Sequence, residues 1–274
     1  MAKKKKQIQT NFLLIDDNTP FAVKEAYNML RTNILYMPNE DEGGKVIAVT
    51  SAEEASGKSS TMASLALSFA HSSKKVLLID ADMRCPRQYK FWKYEKGSLG
   101  LSEYLAGINS SEDVIIKNIR DGLDVMPSGH IPPSPSELVL SSRFSKLISE
   151  LKKVYDFVFI DFPPIGVVAD AAAVANCITG YIFVIRANHS DSVYVKESIQ
   201  ALENVEGNIL GIVFNDLDYK STGGRYGRYG RYGKYGSGYN RASKYARQAD
   251  KLAQEQHNSD NNNNGNNNNN INNQ

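Results

Sequence analysis

A chain of 274 residues, 41% of them hydrophobic, can bury the core of one α/β domain and still carry tails. It has no apolar run of about 18 residues of the kind that spans a membrane. The basic run Lys3–Lys6 leads into no apolar segment, so the pattern of a secretory leader is missing, and Cys85 and Cys177 lack the spacing of a disulfide framework. A reducing, cytoplasmic setting is expected, with both thiols as ordinary packing residues. The net charge of +2 conceals an asymmetry. Between Lys220 and Lys251 stand nine Lys/Arg and one acid, a segment of +8, which leaves −6 for the rest.

Residues 1–18 read as a mobile basic arm. Thr19-Pro20 is a helix-start signal, a cap candidate followed by proline in the first turn. Val23, Tyr27, Leu30 and Ile34 then recur at helical spacing, which predicts a helix over 19–36 that packs on the domain or meets another subunit. Met37-Pro38 ends it, and a polar linker runs from Asn39 to Lys45. The apolar run Val46–Val49 follows as a strand. It feeds Thr50-Ser51-Ala52-Glu53-Glu54-Ala55-Ser56-Gly57-Lys58-Ser59-Ser60, and Met62, Leu65, Ala66 and Phe69 continue as an amphipathic helix over about 60–72.

A strand, then Gly-Lys-Ser at a helix start, is the setting of a phosphate-binding loop. Backbone N–H groups and the helix dipole face the phosphates there. Ala55, Ser56, Gly57, Lys58, Ser59 and Ser60 are the nucleotide-binding candidates, with Lys58 reaching the β/γ-phosphates and the Ser59 hydroxyl on Mg²⁺. The pattern wants glycine where this chain has Ala52.

Further strands are predicted at 76–79, 123–126, 157–160, 181–185 and 209–214, and helices at 142–155 and 191–205. Continuous apolar strands imply burial on both faces, as in a mostly parallel sheet flanked by helices. In such folds ligands gather at the carboxyl ends of the strands. Two predicted strands end in acids there: Val76–Ile79 in Asp80-Ala81-Asp82, and Phe157–Ile160 in Asp161. Ser59 and Asp161 are expected to hold magnesium. Asp80 and Asp82 are left to orient a nucleophile or tune the metal, and Arg84 or Arg186 is a candidate second phosphate clamp. Asn215 ends the last strand and is expected to cap it or, by resemblance to related ATPases, to touch the adenine. Tyr27, Tyr89, Trp92 and Tyr94 read as packing or rim aromatics. His71, His130 and His189 show no metal spacing.

After Tyr219 the character changes. Arg225-Tyr226-Gly227-Arg228-Tyr229-Gly230-Arg231-Tyr232-Gly233-Lys234-Tyr235-Gly236 repeats every three residues and continues loosely to Tyr239 and Tyr245. Clustered charge and recurring glycine argue against a packed core, and from Asn258 the chain is almost all asparagine, so a disordered C-terminal tail is expected.

Together Val76–Pro86, Gly100-Leu101-Ser102-Glu103-Tyr104-Leu105, Leu123–Gly129, Pro132-Pro133-Ser134-Pro135, Ile160–Pro164 and the helix segment Glu25–Asn33 resemble the bacterial tyrosine kinases. The likeness spans roughly 20–218, and is greatest to the stand-alone cytoplasmic type of Gram-positive capsule and exopolysaccharide operons. It implies a P-loop NTPase fold of the MinD/ParA-like kind over 19–218 and an ATP- and Mg²⁺-dependent kinase that autophosphorylates a C-terminal tyrosine cluster between subunits of a ring. Carried onto this chain, the phosphoacceptors are Tyr226, Tyr229, Tyr232, Tyr235 and Tyr239 within a basic segment 219–257. Lys58, Asp80 and Asp82 are catalytic, and Ser59, Asp82 and Asp161 bind metal. The resemblance also implies a membrane-anchored activator of the chain-length-modulator type that recruits the kinase to the inner face of the membrane, a protein-tyrosine phosphatase, and protein substrates in polysaccharide synthesis. Two departures stand out. The family's Gly-Glu-Gly-Lys is here Ala55-Ser56-Gly57-Lys58, and Asn28 replaces an arginine of the family helix.

Two rival readings are weaker. Arg-Tyr-Gly repeats combine cation, stacking ring and flexibility, as in segments that hold single-stranded nucleic acid, but the domain ahead of them resembles a kinase. A positioning ATPase of the septum- or plasmid-partitioning kind shares the fold, yet carries a signature lysine at the place of Glu53.

Overall fold

In the computed structural model, residues 14–16, 19–37, 43–72 and 74–217 are described. The chain divides between Leu217 and Asp218, so the tyrosine-rich segment, the asparagine-rich end and most of the basic arm lie outside the described residues. The chain order is α1 (Phe21–Leu35), β1 (Lys45–Ser51), α2 (Lys58–Ala70), β2 (Val76–Asp80), α3 (Tyr89–Trp92), α4 (Leu101–Ala106), α5 (Ser111–Val114), β3 (Ile116–Arg120) and β4 (Leu123–Met126). There follow α6 (Pro135–Val139), α7 (Ser142–Leu151), β5 (Phe157–Asp161), α8 (Asp170–Ala173), β6 (Gly180–Arg186), α9 (Ser192–Glu203) and β7 (Ile209–Asn215).

The strands form one seven-stranded sheet in the order β3-β4-β2-β5-β1-β6-β7, parallel except for β3. The central strands β1, β2 and β5 are buried almost throughout because helices cover both faces. On one face α7 contributes Phe144, Leu147, Ile148 and Leu151 against Val158 and Ile160. On the other, α2 sets Met62, Leu65, Ala66 and Phe69 against Ile47, Val49 and Phe159. The Phe69 ring lies 4.4 Å from that of Phe157 and 5.1 Å from that of Phe159.

Two strands depart from expectation. β3 was not predicted: its polar sequence, Ile-Lys-Asn-Ile-Arg, suits an exposed antiparallel edge. Asp121-Gly122, with φ +74 at Gly122, makes the turn into β4, and it is the sequence signal that could have revealed the hairpin. β7 is an edge strand as well, not one buried on both faces; Ile212 is 45% and Phe214 58% exposed.

The first helix packs on the domain, with Ile34 buried and Tyr27 and Leu30 against the α2-side core. It begins two residues later than expected, and Thr19 does not cap it: its hydroxyl exchanges hydrogen bonds with the backbone N–H and the carboxylate of Asp16. The helix is tied down by its carboxyl end, where the Lys45 ammonium donates to the carbonyls of Ile34, Leu35 and Met37 at 3.0, 2.9 and 2.6 Å. Cations are favoured at that end of a helix dipole. Arg31 acts similarly on α2, donating to the Ser68 carbonyl at 3.0 Å and to Ser72 Oγ at 2.8 Å. Asn28, the departure from the family helix, donates to Glu25 Oε1 at 3.0 Å. The helix expected to run to 155 ends at Leu151, because the following turn delivers Lys152 O to the Gly44 N–H at the start of β1.

The Gly100–Leu105 and Leu123–Gly129 motifs form one joint. Gly100 abuts the Pro127 carbonyl so closely that any Cβ would collide. The Leu101 and Ser102 N–H groups donate to the carbonyls of Pro127 and Ser128 at 2.8 and 3.0 Å. The buried Glu103 carboxylate accepts the N–H groups of Gly100 at 2.8 Å and His130 at 3.1 Å, with His130 Nδ1 at 2.9 Å. Gly129, at φ +85, leaves no room for a side chain against Ser102 and Glu103. Burial works against the Glu103 charge, but these hydrogen bonds outweigh it and hold the carboxyl below its usual value. A lowered folded pKa contributes stability that is present above the unfolded value of 4.5 and lost as pH falls through the folded one. Glu103→Gln is therefore expected to lower stability at neutral pH by about 1–3 kcal/mol, as read by denaturant unfolding, and to flatten the acid limb of the stability–pH curve.

Candidate active site

The phosphate loop is held from below and from behind. Thr50 Oγ1 donates to the Pro163 carbonyl at 2.9 Å and accepts the Ile165 N–H at 3.1 Å, which locks the end of β1 to the segment after β5. Ser51 and Ser56 both donate to the Glu53 carbonyl at 2.7 Å, closing the loop on itself. Asn215, at the end of β7, donates through Nδ2 to the Ser56 carbonyl at 3.0 Å, so it braces the loop itself. Gly57, at φ +90, precedes α2, and a Cβ there would collide with that Asn215 amide. Lys58 is the first helical residue, two places earlier than periodicity predicted, so the unpartnered N–H groups of a helix first turn fall at Lys58, Ser59 and Ser60.

The two alanines of the loop now differ in meaning. Ala52 needs no glycine: it lies outside the positive-φ region and its methyl is buried in the core. Ala55 sits at φ +55, in the left-handed region that favours glycine. Left-handed backbone at a non-glycine residue costs about 1–2 kcal/mol.

The carboxylates meet because the parallel register sets Asp80 on β2 opposite Asp161 on β5. Both are fully buried, and Asp82 and Lys58 nearly so. Lys58 Nζ lies 3.1 Å from Asp82 Oδ2 and 3.9 Å from Asp161 Oδ1. Burial disfavours the ammonium, but Asp161 and Asp82 more than offset it and raise the Lys58 pKa. Asp80 accepts backbone N–H groups from Asp82, Arg87 and Gln88 at 3.3, 3.1 and 3.0 Å. Burial, then the neighbouring Asp161 charge, push it up to about 8. Burial also raises Asp161, with Lys58 opposing. Asp161 Oδ2 accepts from Gln88 Nε2 at 2.8 Å, whereas Asp161 Oδ1 has no hydrogen-bond partner among the described residues. A buried carboxylate oxygen left over beside a helix N-terminus and a serine fits a hard cation. Asp82, with Glu54, Ala55, Lys58, Arg84 and Cys85, lines the cleft above this cluster.

Several expected residues are placed differently. Arg84 pairs with Asp170 and Ser136 while lining the cleft, and Arg186 pairs with Asp216 at 2.9 Å and reaches the Ala55 carbonyl of the loop at 3.5 Å. Cys85 is exposed rather than packed in the core. Glu53, at the place of the partitioning ATPases' lysine, accepts the Asp191 N–H at 3.2 Å just before α9. Tyr226, Tyr229, Tyr232, Tyr235 and Tyr239 lie outside the described residues. Gln88 and the indole of Trp92, which donates to Gln88 Oε1 at 3.0 Å, were missed as parts of the site. The one sequence signal for them is a four-residue spacing just after the paired acids.

A phosphate loop at the carboxyl edge of a mostly parallel sheet, with acids at the ends of two neighbouring strands, defines a P-loop NTPase domain. A protein-family model described as an AAA domain matches residues 44–203. The septum site-determining protein MinD of Pyrococcus horikoshii, solved with Mg-ADP, has the same fold at a TM-score of 0.56 and 22% identity, over 65% of this chain and 72% of that one. Closer likenesses are kinases. The tyrosine-protein kinase CpsD of Streptococcus agalactiae (serotype III, strain NEM316) is 39% identical over 211 residues, 76% of this chain and 90% of that protein. The kinase domain of the Escherichia coli tyrosine kinase ETK superposes with a TM-score of 0.68 at 34% identity, covering 72% of this chain and 77% of that one. The chain belongs to the bacterial tyrosine-protein kinases, and it is a protein-tyrosine kinase.

The two loop positions should respond in opposite ways to exchange of alanine and glycine. Ala55→Gly relieves left-handed strain at some cost in chain entropy, so stability should change by between zero and about +1 kcal/mol with nucleotide binding intact. Gly57→Ala meets both the positive φ and the Asn215 amide, and nucleotide binding should be lost in a chain that still gives a cooperative thermal unfolding transition.

Proposed function

We infer that the chain binds ATP with magnesium at Ala55–Ser60 and phosphorylates Tyr226, Tyr229, Tyr232, Tyr235 and Tyr239 of a second copy. The observation that carries this reading is the buried Asp161 Oδ1, which accepts no hydrogen bond among the described residues and lies 3.9 Å from the Lys58 ammonium, beside the first turn of α2. Ser59, Asp161 and Asp82 are the residues that would hold the ion, and bound magnesium supplies charge neutralisation at the phosphates. The first-turn N–H groups and Lys58 cradle the β/γ-phosphates, and Lys58 stabilises the charge that develops as the bridging oxygen leaves. The phenol oxygen attacks the γ-phosphorus, its bond to phosphorus forms as the bond to the β-phosphate bridge breaks, and ADP departs.

Asp82 is the residue we assign to the phenolic proton. It lines the cleft, whereas Asp80 is fully buried and spends its oxygens on backbone N–H groups of its own turn. Asp80 is then a brace of the site.

Glycines in the tail let the backbone extend into a cleft, and basic neighbours draw it toward carboxylates and phosphates. Each phosphotyrosine adds about −1.5 to −2, so about four or five would cancel the +8 segment. The bare tail docks in a neighbour's site, and the phosphorylated tail is released. A chain with all five tyrosines changed to Phe that assembles and dissociates like the parent would refute this switch. By resemblance, a membrane-anchored activator recruits and stimulates the kinase, a protein-tyrosine phosphatase resets it, and the regulated process is capsular or extracellular polysaccharide synthesis. No helix among the described residues is long and apolar enough to cross a membrane.

Mass spectrometry after incubation with Mg²⁺ and ATP, with an activator segment present, should find tail phosphotyrosine in the parent and none in Lys58→Met. When the two chains are mixed, the tail of Lys58→Met should become phosphorylated by its active partner. Labelling confined to the parent tail would exclude transfer between copies.

A further inference from the structure

Three motif segments converge on a side chain that has no chemistry of its own. Gln88 is fully buried, between the paired acids and the short helix α3. Its Nε2 donates to Asp161 Oδ2 at 2.8 Å and to the Ser59 carbonyl at 3.2 Å, and its backbone N–H donates to Asp80 Oδ2 at 3.0 Å. Its Oε1 accepts from Trp92 Nε1, one helical turn on, at 3.0 Å.

The indole decides which way the amide faces. A tryptophan N–H can donate and cannot accept, so the amide oxygen must turn toward Trp92 and the NH₂ toward Asp161. Trp92 is 1% exposed, so no solvent competes for that bond. Reversed, the amide would set its oxygen against Asp161 Oδ2, two acceptors facing each other in a buried site, and the carboxylate would have to rotate. Rotation would carry Oδ1 with it, the one oxygen of that carboxylate left without a hydrogen bond.

We propose that Trp92 and Gln88 are positioning residues for the metal-binding carboxylate: the indole fixes the amide, and the amide fixes Asp161 so that Oδ1 and the first turn of α2 meet the cation in one geometry. This rests on reading Asp161 as a magnesium ligand. Partners that orient a ligand in this way are worth about 10–100-fold in metal affinity. Trp92 is also the chain's one tryptophan, so its emission reports on this relay with no turnover required.

The test titrates Mg²⁺ into the full chain saturated with ADP, following binding by calorimetry and Trp92 by fluorescence. Gln88→Met is expected to weaken Mg²⁺ by about 10–100-fold, and Trp92→Phe by about tenfold. In both, ADP binding without metal should weaken by a smaller factor than Mg²⁺ binding does. The double variant should bind Mg²⁺ no worse than Gln88→Met, because the indole acts only through the amide. Parent emission should change on Mg²⁺ addition, and that of Gln88→Met should not. Parent-like Mg²⁺ affinity in Trp92→Phe, or effects that simply add in the double variant, would overturn the proposal. If Trp92→Phe does not fold, the affinity and emission of Gln88→Met decide it alone. Asp161→Asn separates the two levels: loss of Mg²⁺ binding there with silent Trp92→Phe and Gln88→Met defeats the relay alone, whereas unchanged binding in Asp161→Asn defeats the metal reading and the relay with it.

Discussion

Two carboxyl groups side by side in a dry place are the constraint around which this domain is built. The parallel register of β2 on β5 sets Asp80 beside Asp161 at the centre of the sheet, where neither reaches water. Such a pair persists only where opposite charge and donors surround it. Lys58 comes from the first turn of α2, backbone N–H groups come from the turn at Arg87 and Gln88, and an amide comes from Gln88. The phosphate loop must end where it does for Lys58 to arrive. The turn after β2 must fold back for its N–H groups to arrive. Geometry that looks like preparation for a nucleotide is also what allows the strands to sit in register.

The chemistry of the loop was legible because phosphate binding imposes a local pattern. Strand, Gly-Lys-Ser and amphipathic helix are contiguous in sequence, and Asp80, Asp82 and Asp161 each terminate an apolar run that declares itself. The parallel sheet was legible for the same reason. What escaped was set by neighbours distant in sequence. The run at 209–214 is apolar enough to be central, yet it stands at the end of the strand order, and among the described residues nothing buries the face that carries Ile212 and Phe214. Arg84 and Arg186 are cations near a phosphate site, but Asp170 and Asp216, which claim them, come from later elements. Gln88 and Trp92 are uncharged and share only a four-residue spacing, and only the fold shows that the one donates to Asp161 and accepts from the other. The glycine missing at position 52 and the alanine at 55 could be distinguished only once φ was known.

Rigidity is distributed unevenly around the site. The loop is clamped from two places, by the segment after β5 through Pro163 and Ile165 and by the end of β7 through Asn215. The acids beneath it are fixed by hydrogen bonds that leave one oxygen over. Asp82, by contrast, lies at the cleft and is held by Lys58 and the Cys85 N–H at 2.9 Å. A site that stabilises charge needs its donors immobile, while a carboxylate at the cleft stands where an incoming side chain can reach it.

The joint made by Gly100, Glu103 and Gly129 bears on how such proteins are recognised at all. Those residues are prominent in sequence and resemble a signature of activity, but they touch no reacting group; they weld α4 to the end of β4. A descendant of this lineage that had lost Lys58 would keep the weld, because its fold would still require it, and a search keyed to those glycines would count it among the kinases. Living enzymes are told from retired ones by the lysine and the strand-end acids, whose charges lie at the loop and not at the weld.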